Sequence, residues 1–236
     1  TLTYDPEHLP YGGSLVKEHH QKFVRALRKQ GHEFRYYGAG EYGENPPDGG
    51  KFGRPHFHIC LFGWMPKDIK LTKNNSEGGM TYESAEIKKA WGKGFHEVTF
   101  LTPGRAGYTA QYTRKKVTGK QAEAHYTVLL EDGTFVELEP EYQFQSTRPA
   151  IGKSYYDKYK KEIYRDDFIV LEGKKIKPPA YYDKLLERED PELHAKIKRD
   201  RKDYAESHQE DETLQRRKTR EAVKKAQIGQ LKRPMK

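Results

Sequence analysis

Gly40-Glu41-Tyr42-Gly43, followed after a Gly/Pro-rich stretch by Arg54-Pro55-His56-Phe57-His58-Ile59-Cys60-Leu61, is the part of the chain on which its reading turns. Side chains alternate faces along a strand, so His56 and His58 project from one face, roughly 6.6 Å apart along it. Phe57, Ile59 and Leu61 then point the other way and supply an apolar side for packing. Two imidazoles so placed can share one metal ion, although a lone His-x-His also occurs as a structural pair. The segments 33–42 and 55–63 read as two strands of a hairpin joined by the loop 43–54, with Pro55 tolerated at a strand entry. On the first of these strands Glu41 can reach across as a third ligand; its alternative is a surface carboxylate or a partner of Arg35 or Arg54. Two histidine nitrogens with one carboxylate oxygen suit Mn²⁺, Mg²⁺ or Zn²⁺, and three protein ligands leave positions open for a substrate phosphate.

Working outward, residues 1–5 alternate as a short strand. Ser14 is a fair N-cap for a helix with Val16, His20, Phe23, Val24 and Leu27 on one stripe, closed by Gly31. Downstream, 65–79 reads as loop, 82–91 as helix and 95–101 as strand. Thr102-Pro103 forms an N-cap and first-turn pair for a helix reaching Val117. Along that helix Tyr108, Tyr112 and Lys115 fall within a sector of roughly 60°, with Lys116 further round. A tyrosine pair four residues apart is commonly packing; beside a metal-binding hairpin it becomes a candidate nucleophile set. Segments 125–130 and 134–138 flank a Glu131-Asp132-Gly133 turn as a second hairpin, 142–147 adds a strand, and 154–164 a short helix. Beyond Pro178 hydrophobes are sparse, and the segment reads as solvated helix of alternating charge or as a DNA-contacting arm. The class is α+β, with a catalytic domain over 1–175 and a charged, mainly helical extension over 176–236.

Of the 236 residues 33% are charged and 34% hydrophobic, so part of the chain is expected to be solvated helix or tail. Lys and Arg number 44 against 35 Asp and Glu, and the resulting +9 makes an anionic partner, nucleic acid first, the leading expectation. The single cysteine, Cys60, excludes a disulfide scaffold and a multi-cysteine zinc ribbon and suggests a reducing compartment. No apolar run long enough to span a membrane occurs, and no secretory leader is seen. There is no phosphate-cradling Gly-rich loop with a lysine, so an ATPase engine is not encoded in this chain. Thr1 opens inside a strand without a methionine, and the natural chain is expected to begin upstream. The remaining histidines are isolated and read as non-catalytic.

Glu41, the Arg54-Pro55-His56-Phe57-His58 run and the helix carrying Tyr108, Tyr112 and Lys115 together resemble the HUH endonucleases of rolling-circle replication. Within that superfamily the Thr1-Leu2-Thr3-Tyr4-Asp5 opening, Gly40-Glu41-Tyr42-Gly43 and Tyr-x3-Tyr-x2-Lys-Lys are similar to the replication initiators of microviruses, the small single-stranded-DNA bacteriophages. The likeness is best over 1–120. It implies a central antiparallel sheet with flanking helices and the histidines on a middle strand. It further implies nicking of one strand of circular duplex DNA at an origin through a 5′-phosphotyrosine, with Mg²⁺ or Mn²⁺ at Glu41, His56 and His58, and Tyr112 and Tyr108 as nucleophiles used in turn. Tyrosine is only about 0.1% phenolate at pH 7, and Lys115 is placed to offer a cation. Gln111 stands where the pattern after Tyr108 would have lysine, which favours Tyr112 for the first cut. Arg54, Arg114 and Lys116 are candidate DNA contacts. Partners implied are single-stranded and supercoiled viral DNA and the host helicase and polymerase, in the cytoplasm of a bacterial host. Ligand histidines must be neutral, so nicking is expected to fail well below about pH 6. The rivals are a relaxase or transposase of the same superfamily, a non-catalytic DNA-binding or packaging protein whose binding falls steeply with salt, and a histidine-triad hydrolase, which would need a histidine where Cys60 stands.

Overall fold

The computed structural model of the protein describes residues 1–43, 51–74, 80–112 and 116–230. The chain forms two compact units, Thr1–Ile151 and Gly152–Lys236, dividing upstream of the 175/176 boundary read from the sequence. The first unit runs β1 (Leu2–Tyr4), α1 (Lys17–Lys29), β2 (Arg35–Tyr42), β3 (Pro55–Phe62), β4 (Lys70–Asn74), β5 (Met80–Glu83), α2 (Ala85–Trp91), β6 (Gly94–His96), α3 (Pro103–Gln111), α4 (Ala122–Tyr126), β7 (Thr127–Leu129), β8 (Phe135–Glu137) and β9 (Tyr142–Gln145). Its centre is a five-stranded antiparallel sheet in the order β6-β1-β3-β2-β9. The histidine-bearing β3 is the middle strand, as the resemblance implies.

Alternation splits the sheet into two unlike faces. Leu2, Tyr4 and Phe57 are buried on one of them with Phe23, Val24 and Leu27 of α1 and Ile87 and Trp91 of α2. Each such side chain withdrawn from water contributes about 1.5–3 kcal/mol against the conformational entropy of ordering. Gly38 and Gly40 also point into this core. A Cβ on Gly38 would lie 2.6 Å from the Phe144 ring and 2.7 Å from the His58 carbonyl oxygen, and one on Gly40 would lie 3.1 Å from Leu15. The close approach expected of these glycines is therefore to the packed side, opposite the histidines.

Several element boundaries differ from the sequence expectation. Ser14 does not cap α1; its Oγ accepts from the Glu139 N–H at 2.9 Å, and Val16 occupies the N-cap without a side-chain bond. A distant backbone donor has drawn the hydroxyl away. Part of the expected loop 65–79 forms β4, paired with β5, and the expected helix 82–91 begins only after β5, where Ser84 Oγ accepts from the Ile87 N–H at 3.1 Å. Residues 44–50 and 75–79 of the two expected loops lie outside the described residues. The strand expected over 95–101 shrinks to β6 and a single bridge between Val98 and Tyr82. Thr102 caps α3 as expected, accepting from the Arg105 N–H at 3.2 Å, but the helix ends at Gln111 with Tyr112 as its C-cap.

The second unit comprises α5 (Lys153–Asp166), the hairpin β10 (Ile169–Leu171) and β11 (Lys174–Ile176), α6 (Ala180–Glu189), α7 (Pro191–Ser207) and α8 (Leu214–Gln230). Tyr156, Ile163, Tyr164, Tyr182, Leu185, Leu186 and Ile197 form a core of its own, so the solvated-helix reading fits α8 rather than everything past Pro178. Arg201 adds a bridge to Asp167 at 2.6 Å and to Asp183 at 2.8 Å.

Candidate active site

Cross-strand register brings the acidic and imidazole groups together. Glu41 of β2 sits directly opposite His56 of β3, and the small Ala39 opposite His58. Glu41 Oε1 lies 2.7 Å from His56 Nε2 and 3.0 Å from His58 Nε2, and one ligand atom from each residue falls within 4.8 Å of the others. The outer ring nitrogens are held as well. His56 Nδ1 donates to the Arg54 carbonyl at 3.0 Å, and His58 Nδ1 meets Thr1 Oγ1 at 3.2 Å. A carbonyl only accepts, so His56 carries its hydrogen on Nδ1, and in the neutral ring the Nε2 lone pair faces the carboxylate. Two electron-rich atoms at that separation call for a cation between them. Outer-nitrogen bonds of this kind orient imidazole ligands in metal sites, and the donor set fits a divalent ion.

The electrostatics agree. Glu41 is 3% exposed; burial pushes its carboxyl up, but hydrogen bonds with His56 and His58 outweigh this and take it down to about 2. His58 is driven down to about 4, chiefly by burial and against the Glu41 hydrogen bond. At neutral pH Glu41 is thus ionised and His58 neutral, the forms that ligate metal. His58 also remains neutral to lower pH than the limit near 6 expected for unshifted histidines.

The helix α3 packs across β2 and β3, where the Cys60 thiol donates to Thr109 Oγ1 at 3.6 Å. This seats the two neighbouring turns of the helix over His58. The Tyr112 ring stacks on the His58 ring at 4.4 Å and 15°. Tyr108 meets Tyr112 edge-on at 4.9 Å and His58 at 6.4 Å. Tyr112 is 5% exposed and Tyr108 38%. Burial first, then the hydrogen bond with Tyr108 and the Glu41 charge, holds the Tyr112 phenol well above the ordinary tyrosine range.

Five of the expected site residues, Glu41, His56, His58, Tyr108 and Tyr112, thus converge. Arg54 Nη1 donates to the Tyr4 carbonyl at 2.8 Å, and Lys116 is exposed. Lys115 and Arg114 lie outside the described residues. The roles of the Arg54 carbonyl, Thr1 Oγ1 and Thr109 were not foreseen; only the polar alternation of Thr1 and Thr3 hinted at the first shared face. Other histidines are structural: His19 meets the Tyr4 hydroxyl at 2.8 Å, His20 the Tyr142 hydroxyl at 3.1 Å, and His96 accepts from the Ser84 N–H at 3.0 Å.

An antiparallel-sheet α+β unit with a carboxylate and two imidazoles on adjacent strands, faced by a tyrosine pair on a helix, defines the class of protein. Residues 1–117 match the model of the replication-associated protein ORF2 family, and this part of the chain, holding the triad and both tyrosines, belongs to that family. The chain is 35% identical over 202 residues to the replication-associated protein ORF2 of Spiroplasma virus 4, covering 80% of this chain and 57% of that protein. It is 29% identical to the replication-associated protein VP4 of Bdellovibrio phage phiMH2K, covering 91% of this chain and 66% of that one. Identity to the replication-associated protein ORF4 of Chlamydia phage 1 is 28%, covering 79% and 45%. The chain thus spans about half to two thirds of the length of these relatives. No solved structure matches it. Among the described residues no helix is long and apolar enough to cross a membrane.

Proposed function

We propose that this protein is an HUH-type endonuclease that starts rolling-circle replication by nicking one strand of viral circular duplex DNA at an origin, and later rejoins the displaced strand. The observation that carries this reading is the stacking of Tyr112 on His58 beside the Glu41–His56–His58 cluster. A divalent ion, Mg²⁺ or Mn²⁺, held by Glu41 and the Nε2 atoms of His56 and His58 would neutralise charge on the scissile phosphate and the leaving 3′ oxygen. The Tyr112 hydroxyl attacks phosphorus in line; the P–O3′ bond breaks, the 3′ oxygen takes up a proton and the 5′ phosphate remains on the tyrosine. Because the buried phenol holds its proton tightly, deprotonation has to be coupled to binding of the site's cation and substrate, with Lys115 the sequence-placed candidate for a phosphate-side charge. Tyr108, more open to solvent, serves as the second nucleophile. Rejoining is the reverse displacement, by a 3′ hydroxyl on the phosphotyrosyl bond.

Arg54, Arg114 and Lys116 are assigned to the DNA backbone. Strand separation and synthesis fall to a host helicase and polymerase in the cytoplasm of the bacterial host, acting on supercoiled and then single-stranded viral DNA. The test uses labelled single strands tiled across the genome that encodes the protein, incubated with Mn²⁺ or Mg²⁺ and followed by denaturing gel and peptide mass mapping. A covalent adduct on Tyr112, lost with EDTA and with Tyr112→Phe, is expected. Tight, salt-sensitive binding without any adduct would replace this reading with a non-catalytic DNA-binding protein.

A further inference from the structure

Phe95 is a large apolar side chain left 60% exposed, and strand register shows what it stands beside. Thr3 pairs with Phe95 on one side and with His56 on the other, and His56 pairs with Glu41. Phe95, Thr3, His56 and Glu41 therefore form one cross-strand row on the metal-site face, with Phe95 two strand spacings, about 10 Å, from His56. The flanking pair Leu2 and His96 is buried on the opposite face. The helix α3 covers β2 and β3, so the β1–β6 side of the row, with Thr3 partly exposed and Phe95 open, is where the site meets solvent. Gly94 holds this edge tightly: at φ +128 a Cβ there would lie 2.2 Å from the Asp5 nitrogen. Phe95 is thus anchored at its backbone while its ring stays free. Phe100, also exposed, differs in that its ring meets Tyr82 at 5.4 Å.

We propose that Phe95 is a stacking platform for an unpaired base next to the scissile phosphate, an inference that rests on the nicking function proposed above. The occupant is single-stranded DNA and not an apolar protein segment, because the rest of the row is polar or charged and continuous with the phosphate-binding centre. A lone ring in such surroundings suits a base, whose π-face stacks without regard to sequence.

The experiment measures binding of a short fluorescent thymidine oligonucleotide in EDTA, where no cutting interferes, for the wild type, Phe95→Ala and Phe95→Trp. Loss of the ring is expected to weaken binding about 5- to 150-fold, the range for removing one base–aromatic stack. The tryptophan variant is expected to retain affinity, with its added indole emission quenched by the oligonucleotide. Melting temperatures should match in all three, since the side chain is exposed. Unchanged affinity in Phe95→Ala together with an unquenched indole in Phe95→Trp overturns the proposal. Nicking of the tiled genomic strands is scored in parallel. Weaker binding by Phe95→Ala with adduct formation restored at excess DNA supports both readings, whereas weaker binding from a wild type that never forms an adduct keeps a single-strand-binding role for Phe95 and removes the nicking reading and the scissile phosphate with it.

Discussion

Glu41 is the residue on which the site's charge depends. It is the acidic member of the cluster, buried, and kept ionised by the two imidazoles it touches. Glu41→Gln preserves shape while removing that charge, and Mn²⁺ affinity, read by electron paramagnetic resonance of the free ion, should fall at least about 10-fold, the loss that follows even from removing an outer-shell partner. Equal affinity in the variant would dismiss the cluster as a metal centre. Gly38 is the matching structural test. Its missing Cβ makes room for Phe144 and the His58 carbonyl, so Gly38→Ala should cost about 1–3 kcal/mol of stability in denaturant unfolding through overpacking.

At the scale of elements, α3 carries both tyrosines and is started by one side chain. Thr102→Ala removes its N-cap and should cost about 1 kcal/mol; because the frayed end is the turn leading to Tyr108, the yield of adduct on Tyr108 is expected to fall more than that on Tyr112. The helix α1 supplies a pH test. His20 lies on its buried stripe, stacked on Phe144 at 3.7 Å, and burial takes it down to about 4. Between that value and the ordinary histidine range the unfolded chain binds the extra proton and the folded one does not, so His20 contributes stability that is complete above about pH 6.5 and lost as pH falls toward 4. Thermal melts from pH 7 to 4.5 should show this decline, and His20→Phe, which cannot titrate, should flatten part of it. The stripe of α1, the hairpin pair β2 and β3 and the cap of α3 were legible because each is a local periodicity. β4 was not, since the polar run Lys70-Leu71-Thr72 has no apolar face of its own and acquires strand geometry by pairing with β5.

Over the whole molecule, charge is divided unevenly. The second unit holds 24 Lys and Arg against 17 Asp and Glu, whereas the first holds 20 against 18. The helix α8 carries Arg216, Arg217, Lys218, Arg220, Lys224 and Lys225 with one acidic residue, Glu221. With DNA as the proposed partner, this helix is expected to bind backbone phosphates. Replacing Lys218 and Lys224 by glutamine should then reduce the slope of log affinity against log salt by about 0.7 for each phosphate no longer neutralised on single-stranded DNA. An unchanged slope in a salt titration would take α8 out of the interface.

Residue spacing alone placed His56 and His58 on one strand face, set the tyrosines on one helix stripe, marked Thr102 as a cap and made the chain basic, because alternation, helical periodicity and charge are properties of neighbouring residues. It could not decide that Glu41 would sit opposite His56, that α3 would cross β2 and β3 so as to bury Tyr112 on His58 while leaving Tyr108 open, or that Phe95 would end the same row. Those relations join residues tens of positions apart, and they arise only when strand register and the covering of one sheet face bring the segments together. The shifts of Glu41, His58 and Tyr112 have the same origin, since burial and hydrogen bonding act through space and not along the chain.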